Sequence, residues 1–415
     1  MKVGIVGQGY VGLPLAVEFA ERGLDVIALD ADPDKIACIQ AGESYIEDVP
    51  SKRLRAVRER IDATTRYAKL ARADAIIICV PTPLTANREP ELGPLRDCAR
   101  ALSDVLQAGQ LVVLESTTFP GTTRRHLAPV LEESGLAVGR DFNLAFSPER
   151  VDPGRTDFTL RNTPKVVGGI TDECGDHAEA LYRTVCEEVV RVSTPEAAEL
   201  TKLLENIFRS VNIALVNELA MLTDRMGIDI WEVIDAASTK PYGFMRFDPG
   251  PGMGGHCLPV DPFYLTWRAR EFDLTPEFIE LAGKVNAYMP YYCLERVERV
   301  LNDACKPVNG TRIGMLGVAY KPGLGDTRES PALKLIELLR SRGAELAYHD
   351  PHVPSLPGQD LHNRELADLL DWSELVVITT AHPGVDHRHV VERAAQLVDL
   401  RGHTRAYAPS TVAQL

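Results

Sequence analysis

Three features predict an α/β chain: a short apolar strand running into a glycine loop and a helix, a similar order in the C-terminal part, and a long helical stretch between them. The expected architecture is two Rossmann-like, doubly wound parallel-sheet domains joined by a long central helix and a helical middle domain. Borders are expected near 1–194, 195–304 and 305–415. At 415 residues the chain is long enough for two or three domains, taking roughly 150 residues for each.

The first unit opens with the apolar strand Lys2–Val6, the loop Gly7-Gln8-Gly9-Tyr10-Val11-Gly12 and a helix over Leu13–Arg22 closed by Gly23. A second strand, Leu24–Leu29, ends in Asp30, which lies 18 positions after Gly12. This is G-x-G-x-x-G in strand–turn–helix context. Its glycines permit a tight turn and let a pyrophosphate approach the helix N-terminus. Asp30 would accept from a ribose 2′-OH and repel a 2′-phosphate, which favours NAD over NADP. A tight turn alone would not require the strand, the helix and the acid together.

Further βα units follow. Asp74–Val80 is a continuous apolar run, read as a strand buried on both faces, and it ends in Pro81-Thr82-Pro83. Leu111–Leu114 runs into Glu115-Ser116-Thr117-Thr118-Phe119-Pro120-Gly121, and Asn143–Phe146 into Ser147-Pro148-Glu149-Arg150-Val151-Asp152-Pro153-Gly154. Ligands of open α/β sheets lie beyond the carboxyl ends of strands. Turn chemistry explains Thr82, Thr118 or Glu149 singly; their joint placement on one edge points to a site. Lys165–Gly168 and Val189–Val192 close the region.

From Pro195 the period becomes helical, with Leu200, Leu203, Leu204, Ile207, Phe208, Val211, Leu215, Leu219, Leu222 and Met226 recurring every three to four positions. The helix is about 30 residues long, roughly 45 Å, and is expected to bridge domains and form part of a subunit interface. Lys202 and Asn206 share one face; a solvated surface is the plain alternative for the lysine. Shorter helices are expected over Asp229–Ala237 and Pro276–Asn302, the latter interrupted near Pro290. Between them, Asp248–Pro262 carries four glycines and four prolines in fifteen residues, a composition that excludes an ordinary strand or helix. In it Cys257 follows His256 and precedes Asp261 by four positions. A lone thiol is commonly a small buried hydrophobe. In a Gly-Pro loop beside ionisable groups it also suits a nucleophile.

The C-terminal part echoes the first. Arg312–Val318 is a strand, Pro331–Arg342 a helix ending in Arg342-Gly343, Ala344–His349 a strand running into Asp350, and Leu375–Thr379 a further strand. The second glycine loop lacks G-x-G-x-x-G, so it is expected to hold something other than a second NAD. Tyr320, Lys321 and Arg328 supply an aromatic ring and two cations, which suits a nucleoside diphosphate.

A formal charge of −14 argues against nucleic acid or an anionic membrane as partner. No apolar run approaches the roughly 20 residues that span a bilayer, and the first residues read as a strand, with no signal-peptide pattern. The eight cysteines show neither a C-x-x-C pair nor zinc spacing, so no metal is expected. Scattered cysteines fit a reducing cytoplasm.

Gly7–Gly12, Ser116–Pro120, the Thr201-Lys202 to Asn206 helix, Gly252–Asp261 and Lys321–Arg328 together resemble the NAD-dependent UDP-sugar 6-dehydrogenase family over almost the whole chain. Phe146–Gly154 and Gly254-Gly255-His256-Cys257 look like the branch acting on UDP-N-acetylhexosamines, with UDP-N-acetylglucosamine the expected sugar. UDP-glucose enzymes usually carry Asn-Pro-Glu-Phe-Leu and Gly-Gly-Ser-Cys there. The mannosamine and galactosamine epimers stay open, because loops of this kind do not disclose one hydroxyl's configuration.

The resemblance implies a four-electron oxidation of a C6 alcohol with two NAD, in which Cys257 traps an aldehyde and then carries a thioester. Lys202 and Asn206 match positions that steady the oxyanion, and Asp261 matches an acid that holds a catalytic water or Lys202. Glu149 and Thr118 match residues placed for thioester hydrolysis. A general base at Glu149 is expected to carry a raised pKa, supplied by burial. Gly7, Gly9, Tyr10, Val11, Gly12, Asp30, Lys35, Thr82, Thr118 and Arg328 match cofactor positions. Glu149, Arg150, Lys202, Asn206, Arg246, Gly250, Gly254, Tyr320 and Lys321 match the UDP-sugar site, Arg246 resembling an arginine lent across a dimer. A homodimer or higher homo-oligomer is implied. Two other readings bear on the same residues. A two-electron 2-hydroxyacid or 6-phosphogluconate type dehydrogenase would need no thiol and no second α/β half. A non-catalytic nucleotide-sugar sensor would not need Cys257, Lys202, Asn206, Asp261 and Glu149 together.

Overall fold

The computed structural model describes residues 1–85, 89–151, 157–255, 258, 260–407 and 412–415. They form two compact units, Met1–Glu205 with Phe263–Leu274, and Asn206–Pro262 with Thr275–Leu415. In chain order the first holds β1 (Lys2–Val6), α1 (Gly12–Glu21), β2 (Asp25–Leu29), α2 (Pro33–Ala41), α3 (Ser51–Val57), β3 (Ile61–Thr64), β4 (Ala75–Ile78), α4 (Gly93–Ser103), β5 (Leu111–Leu114), α5 (Ala128–Leu131), β6 (Asn143–Phe146), β7 (Lys165–Gly169), α6 (Asp172–Tyr182) and β8 (Val189–Val192).

Their strands pair in the order β3-β2-β1-β4-β5-β6-β7-β8. Every pairing is parallel except β6 with β7. Successive strand residues alternate between two cores, as the period of two requires. Val3, Ile5, Ile77 and Val113 enter one cluster, while Val6, Ile76, Ile78, Val112 and Leu114 enter the other. Burial on both faces explains why these strands read as continuous apolar runs. Strand order reverses between β1 and β4, which opens a crevice at their carboxyl ends.

α7 (Pro195–Met226) follows as one helix of 32 residues, then α8 (Ile230–Ser238), α9 (Asp261–Ala269) and α10 (Glu277–Asp303). Two expectations are corrected here. The Gly-Pro loop ends early, because Asp261-Pro262 open α9; proline's fixed φ suits a first helical turn. α10 also runs through Pro290 instead of breaking there. A proline inside a helix costs about 3 kcal/mol. Continuing the helix buries Met289, Tyr292, Cys293, Leu294 and Val297 in the second unit's core, which outweighs that cost.

The chain ends with β9 (Arg312–Leu316), α11 (Pro331–Ser341), β10 (Glu345–His349), α12 (Leu366–Trp372), β11 (Leu375–Ile378), α13 (His387–Arg393), β12 (Leu397–Asp399) and β13 (Ala413–Gln414). These strands form an all-parallel sheet ordered β10-β9-β11-β12-β13, which again reverses, here at β9/β11. No helix among the described residues is long and apolar enough to cross a membrane.

One buried carboxylate anchors the loop after β5 to the first turns of α7. Glu199 is fully buried, and its two oxygens accept from Gly121 N (2.6 Å), Thr123 N (2.8 Å) and Thr123 Oγ1 (2.7 Å). Burial pushes its pKa up to about 7 even though the three donors favour the anion. A pKa raised in the folded state gives stability that is full below the ordinary carboxylate range and lost as pH rises through about 7. Glu199→Gln sets an amide N–H against the Gly121 N–H and is expected to cost about 1–3 kcal/mol. In urea denaturation its deficit relative to the native chain should be largest near about pH 5 and shrink toward about pH 8. A deficit independent of pH would show that Glu199 titrates normally.

Candidate active site

The glycine loop is shaped by close packing on one side and open space on the other. Gly7 has φ +93°, and a Cβ there would lie 2.6 Å from Cys79 O; one at Gly12 would lie 1.8 Å from Gly7 O. At Gly9 a Cβ would meet nothing within 4 Å. Glycine is therefore demanded at Gly7 and Gly12 by the protein itself, and Gly9 leaves its surface bare for a ligand. No side chain caps α1 at Val11, so its first turn can receive an anion. Tyr10, next to it, is half exposed. Asp30 directly follows β2 and accepts from Gln8 N (2.7 Å) and Asp32 N (2.9 Å), with Lys35 Nζ at 3.4 Å. These contacts hold its carboxylate at the crevice opened by β1 and β4. The loop fits the pyrophosphate and ribose of a dinucleotide.

β4, β5 and β6 are parallel neighbours, so the residues just beyond them share one edge. Thr82 Oγ1 donates to Thr117 O at 2.6 Å, and Tyr264 of α9 donates to Thr82 O. Thr118 is buried, and among the described residues its Oγ1 has no hydrogen-bond partner. Such a group is expensive to leave unmatched. Glu149 is held at both oxygens. Oε1 accepts from Arg150 N (2.8 Å) and Val151 N (2.6 Å), and Oε2 from Lys165 Nζ (3.2 Å). Arg150 bonds Pro164 O (2.5 Å) and Glu205 (2.8 Å). Lys202 of α7 is buried, not on a solvated face, and donates to the main-chain carbonyl of Glu149.

The expected rise in the Glu149 pKa is not what the geometry gives. Burial does push it up, but the Lys165 ammonium, the Val151 N–H and the Lys202 charge outweigh burial and hold it below the ordinary carboxylate value. Sequence reasoning missed Lys165, which opens β7 and also touches Glu115 at 3.1 Å. A lysine at the head of a buried strand was the available signal, since it demands a partner.

In the second unit Asn206, fully buried, donates to Asp261 and accepts from Arg209. The Gly-Pro loop is pinned through its backbone. Gly250 N donates to Asn217 Oδ1 (3.0 Å), Asn217 to Asn286 Oδ1 (3.0 Å), and Asn286 to Ser210 O (3.1 Å). This asparagine chain was not foreseen, because its members lie far apart in sequence. Gly254 and Gly255 pack on Tyr320, where a Cβ would fall 2.6 Å and 2.9 Å from its side chain. A Cβ at Gly250 would lie 2.7 Å from the Arg401 guanidinium, another group unforeseen. Lys321 is half-buried, and Arg328 forks onto Asp326. Arg246 is held by Asp235 (2.6 Å) and Asp248 (2.8 Å) of its own unit. His256 and Cys257 lie outside the described residues.

The counterpart of Asp30 in the second sheet is differently engaged. Asp350 takes N–H groups from Val318 (2.7 Å), Ala319 (3.1 Å), His352 (2.9 Å) and Val353 (3.1 Å), and it also pairs with His382 Nε2 at 3.0 Å. Those donors use up the acceptor capacity that a ribose would need.

Comparison with known proteins agrees with this arrangement. Profiles of the UDP-glucose/GDP-mannose dehydrogenase family match residues 1–186 as the NAD binding domain, 196–288 as the central domain and 314–406 as the UDP binding domain. The chain is 37% identical over 388 residues to UDP-N-acetyl-D-mannosamine dehydrogenase of Pyrococcus horikoshii, covering 92% of this chain and 90% of that protein. It is 35% identical over 355 residues to UDP-N-acetyl-D-glucosamine 6-dehydrogenase of Pseudomonas aeruginosa, covering 85% and 83%. The solved structure of a UDP-D-ManNAc dehydrogenase from Pyrococcus horikoshii superposes with a TM-score of 0.91 at 34% identity, covering 100% of this chain and 99% of that one. The chain thus belongs to the UDP-glucose/GDP-mannose dehydrogenase family and is an NAD-dependent UDP-sugar dehydrogenase, an oxidoreductase.

Proposed function

We propose that the substrate is a UDP-N-acetylhexosamine, and that the chain oxidises its C6 alcohol to a carboxylate through a thioester on Cys257. The observation that carries this reading is Lys202. Its ammonium is buried, bonds a neutral carbonyl and has no carboxylate within 4 Å among the described residues. Burying a cation is costly, and the longer-range attraction to the Glu149 carboxylate offsets only part of that cost. An alkoxide developing in front of it offsets that cost where catalysis needs it.

Bound NAD accepts the hydride in each of the two oxidations. The rest is done by side chains. The first oxidation turns the C6 alcohol into an aldehyde. The Cys257 sulfur then adds to the aldehyde carbon, and the carbonyl electron pair moves to oxygen, where Lys202 and Asn206 steady it. Loss of the second hydride restores the C=O as a thioester. Water then adds, the C–S bond breaks and sulfur recovers its electron pair. Glu149, ionised and held at both oxygens, orients that water and takes its proton. The Thr118 hydroxyl, unmatched among the described residues, bonds the water or the carbonyl oxygen. Asp261 keeps the Asn206 amide in place. Gly250, Gly254, Tyr320 and Lys321 receive the nucleotide, Arg150 and Arg246 complete the sugar site, and Lys35, Thr82 and Arg328 complete the cofactor site.

The N-acetyl group is supported by the Phe146–Gly154 and Gly254–Cys257 sequence motifs and by the names of the relatives, one a mannosamine and one a glucosamine enzyme. A homodimer through α7 is supported by its exposed apolar residues. Leu204, Leu215, Leu222 and Met226 are 62%, 55%, 51% and 60% exposed, more apolar surface than one helix normally shows to water.

Four outcomes are expected. NADH counted against UDP-sugar consumed should reach two per molecule, and one per molecule with free aldehyde would reject the thioester route. Cys257→Ser should lose turnover by about a thousandfold or more while NAD titration stays unchanged; full activity would remove the nucleophile. Across UDP-N-acetylglucosamine, its mannosamine and galactosamine epimers and UDP-glucose, at least one acetamido sugar should exceed UDP-glucose in kcat/KM by about tenfold. Preference for UDP-glucose, or binding with no NADH from any sugar, would refute the assignment. Light scattering should give a dimer that Leu204→Glu with Leu215→Glu converts to monomer; an unchanged mass would place the interface elsewhere.

A further inference from the structure

Glu149 belongs to a buried charge cluster whose other members, Lys165, Glu115 and Tyr182, have no part in the steps above. Lys165 Nζ sits between Glu115 Oε1 (3.1 Å) and Glu149 Oε2 (3.2 Å), and the Lys165, Glu115 and Glu149 side chains are 2%, 0% and 15% exposed. Tyr182 of α6 donates to Glu115 Oε1, and the ammonium lies 5.1 Å from the centre of its ring. The one antiparallel join in the sheet creates this contact. β6 and β7 pair Ala145 with Gly169 and Phe146 with Gly168, and three residues further that register sets Glu149 opposite Lys165. A parallel β7 would carry its first residue to the opposite edge of the sheet.

We propose that Lys165 is a positioning residue for the hydrolytic half of the reaction: it holds the Glu149 carboxylate ionised and in one orientation, and Glu115 sets how much of the ammonium's charge Glu149 receives. This rests on the role given to Glu149 above. A purely structural purpose is poorly served, because removing two carboxylates and an ammonium from water cancels most of their attraction. The orientation, in contrast, is complete. Two main-chain N–H groups take Oε1 and Lys165 takes one side of Oε2, so the accepting capacity left for a water points a single way.

The other groups facing the cluster are Cys79 beyond β4, Cys186 beyond α6, Tyr182 and Lys202. Burial pushes the Cys79 and Cys186 thiols up, the latter to about 12, and raises Tyr182 too, so all three stay neutral. Arg150 is engaged with Glu205. Glu115 is raised by burial against the pull of Lys165, whereas Glu149 is lowered. Two carboxylates therefore compete for one cation, and removing the cation or the competitor should move Glu149 in opposite directions.

The test is the pH profile of NADH formation by the full-length enzyme, with the NADH burst of the first turnover recorded alongside. Lys165→Met should move the acidic limb of kcat up by about one pH unit or more and lower kcat near pH 7 by about tenfold or more. Its burst should be preserved, KM should change less than about threefold, and the adduct on Cys257 should accumulate in intact-protein mass spectra. Glu115→Gln should move the same limb down, Lys165→Arg should recover part of the loss, and Glu149→Gln should abolish the limb. An unmoved limb in an active Lys165→Met, or shifts of Lys165→Met and Glu115→Gln in the same direction, would overturn the proposal. If Lys165→Met does not fold, Glu115→Gln decides alone, and an unmoved limb there overturns it. A wild-type enzyme that reduces no NAD with any UDP-sugar refutes the underlying reaction instead.

Discussion

Parallel pairing of β4, β5 and β6 in continuous register is the constraint from which the first unit's site follows. Successive parallel strands all deliver the chain to the same edge. Thr82, Thr118 and Glu149 therefore meet there although dozens of residues separate them. The reversal of strand order at β1/β4 adds the glycine loop and Asp30 to that edge. Reversing β7 against β6 brings a lysine to the same place.

Charge burial then decides what these groups can do. Glu149, Glu115, Glu199, Lys165 and Lys202 are all withdrawn from water, yet burial does not treat them alike. Glu199 faces uncharged donors and rises to about 7, while Glu149 faces two ammonium groups and falls. The balance between burial and the charges around a group sets the direction: Glu115, which touches only one of those ammonium groups, still rises. An ionised Glu149 suits a group that orients water and accepts its proton, and gives it no proton of its own to donate near neutrality.

Local pattern was a reliable guide where one element decides the outcome. Leu111–Leu114 and Asn143–Phe146 were read to the residue, since a fully buried strand writes a continuous apolar run. α7 was legible because its apolar residues keep a helical period over 32 residues. Pro290 misled the reading because proline is a local signal and its cost is set against distant core contacts. The Asn217–Asn286–Ser210 chain left no trace in the sequence, since each asparagine alone resembles any polar residue on a helix.

The sequence by itself determined the α/β class, the dinucleotide fingerprint with Asp30, the strand-end residues and the Gly-Pro loop that carries Cys257, because each is a property of a contiguous stretch. The tertiary structure alone decided the pairing of Lys165 with Glu149 and Glu115, the lowered Glu149 pKa, the buried Lys202 and the buried Thr118 hydroxyl. Those depend on the neighbours that strand order supplies and on the water that burial removes, and neither is encoded within a single segment.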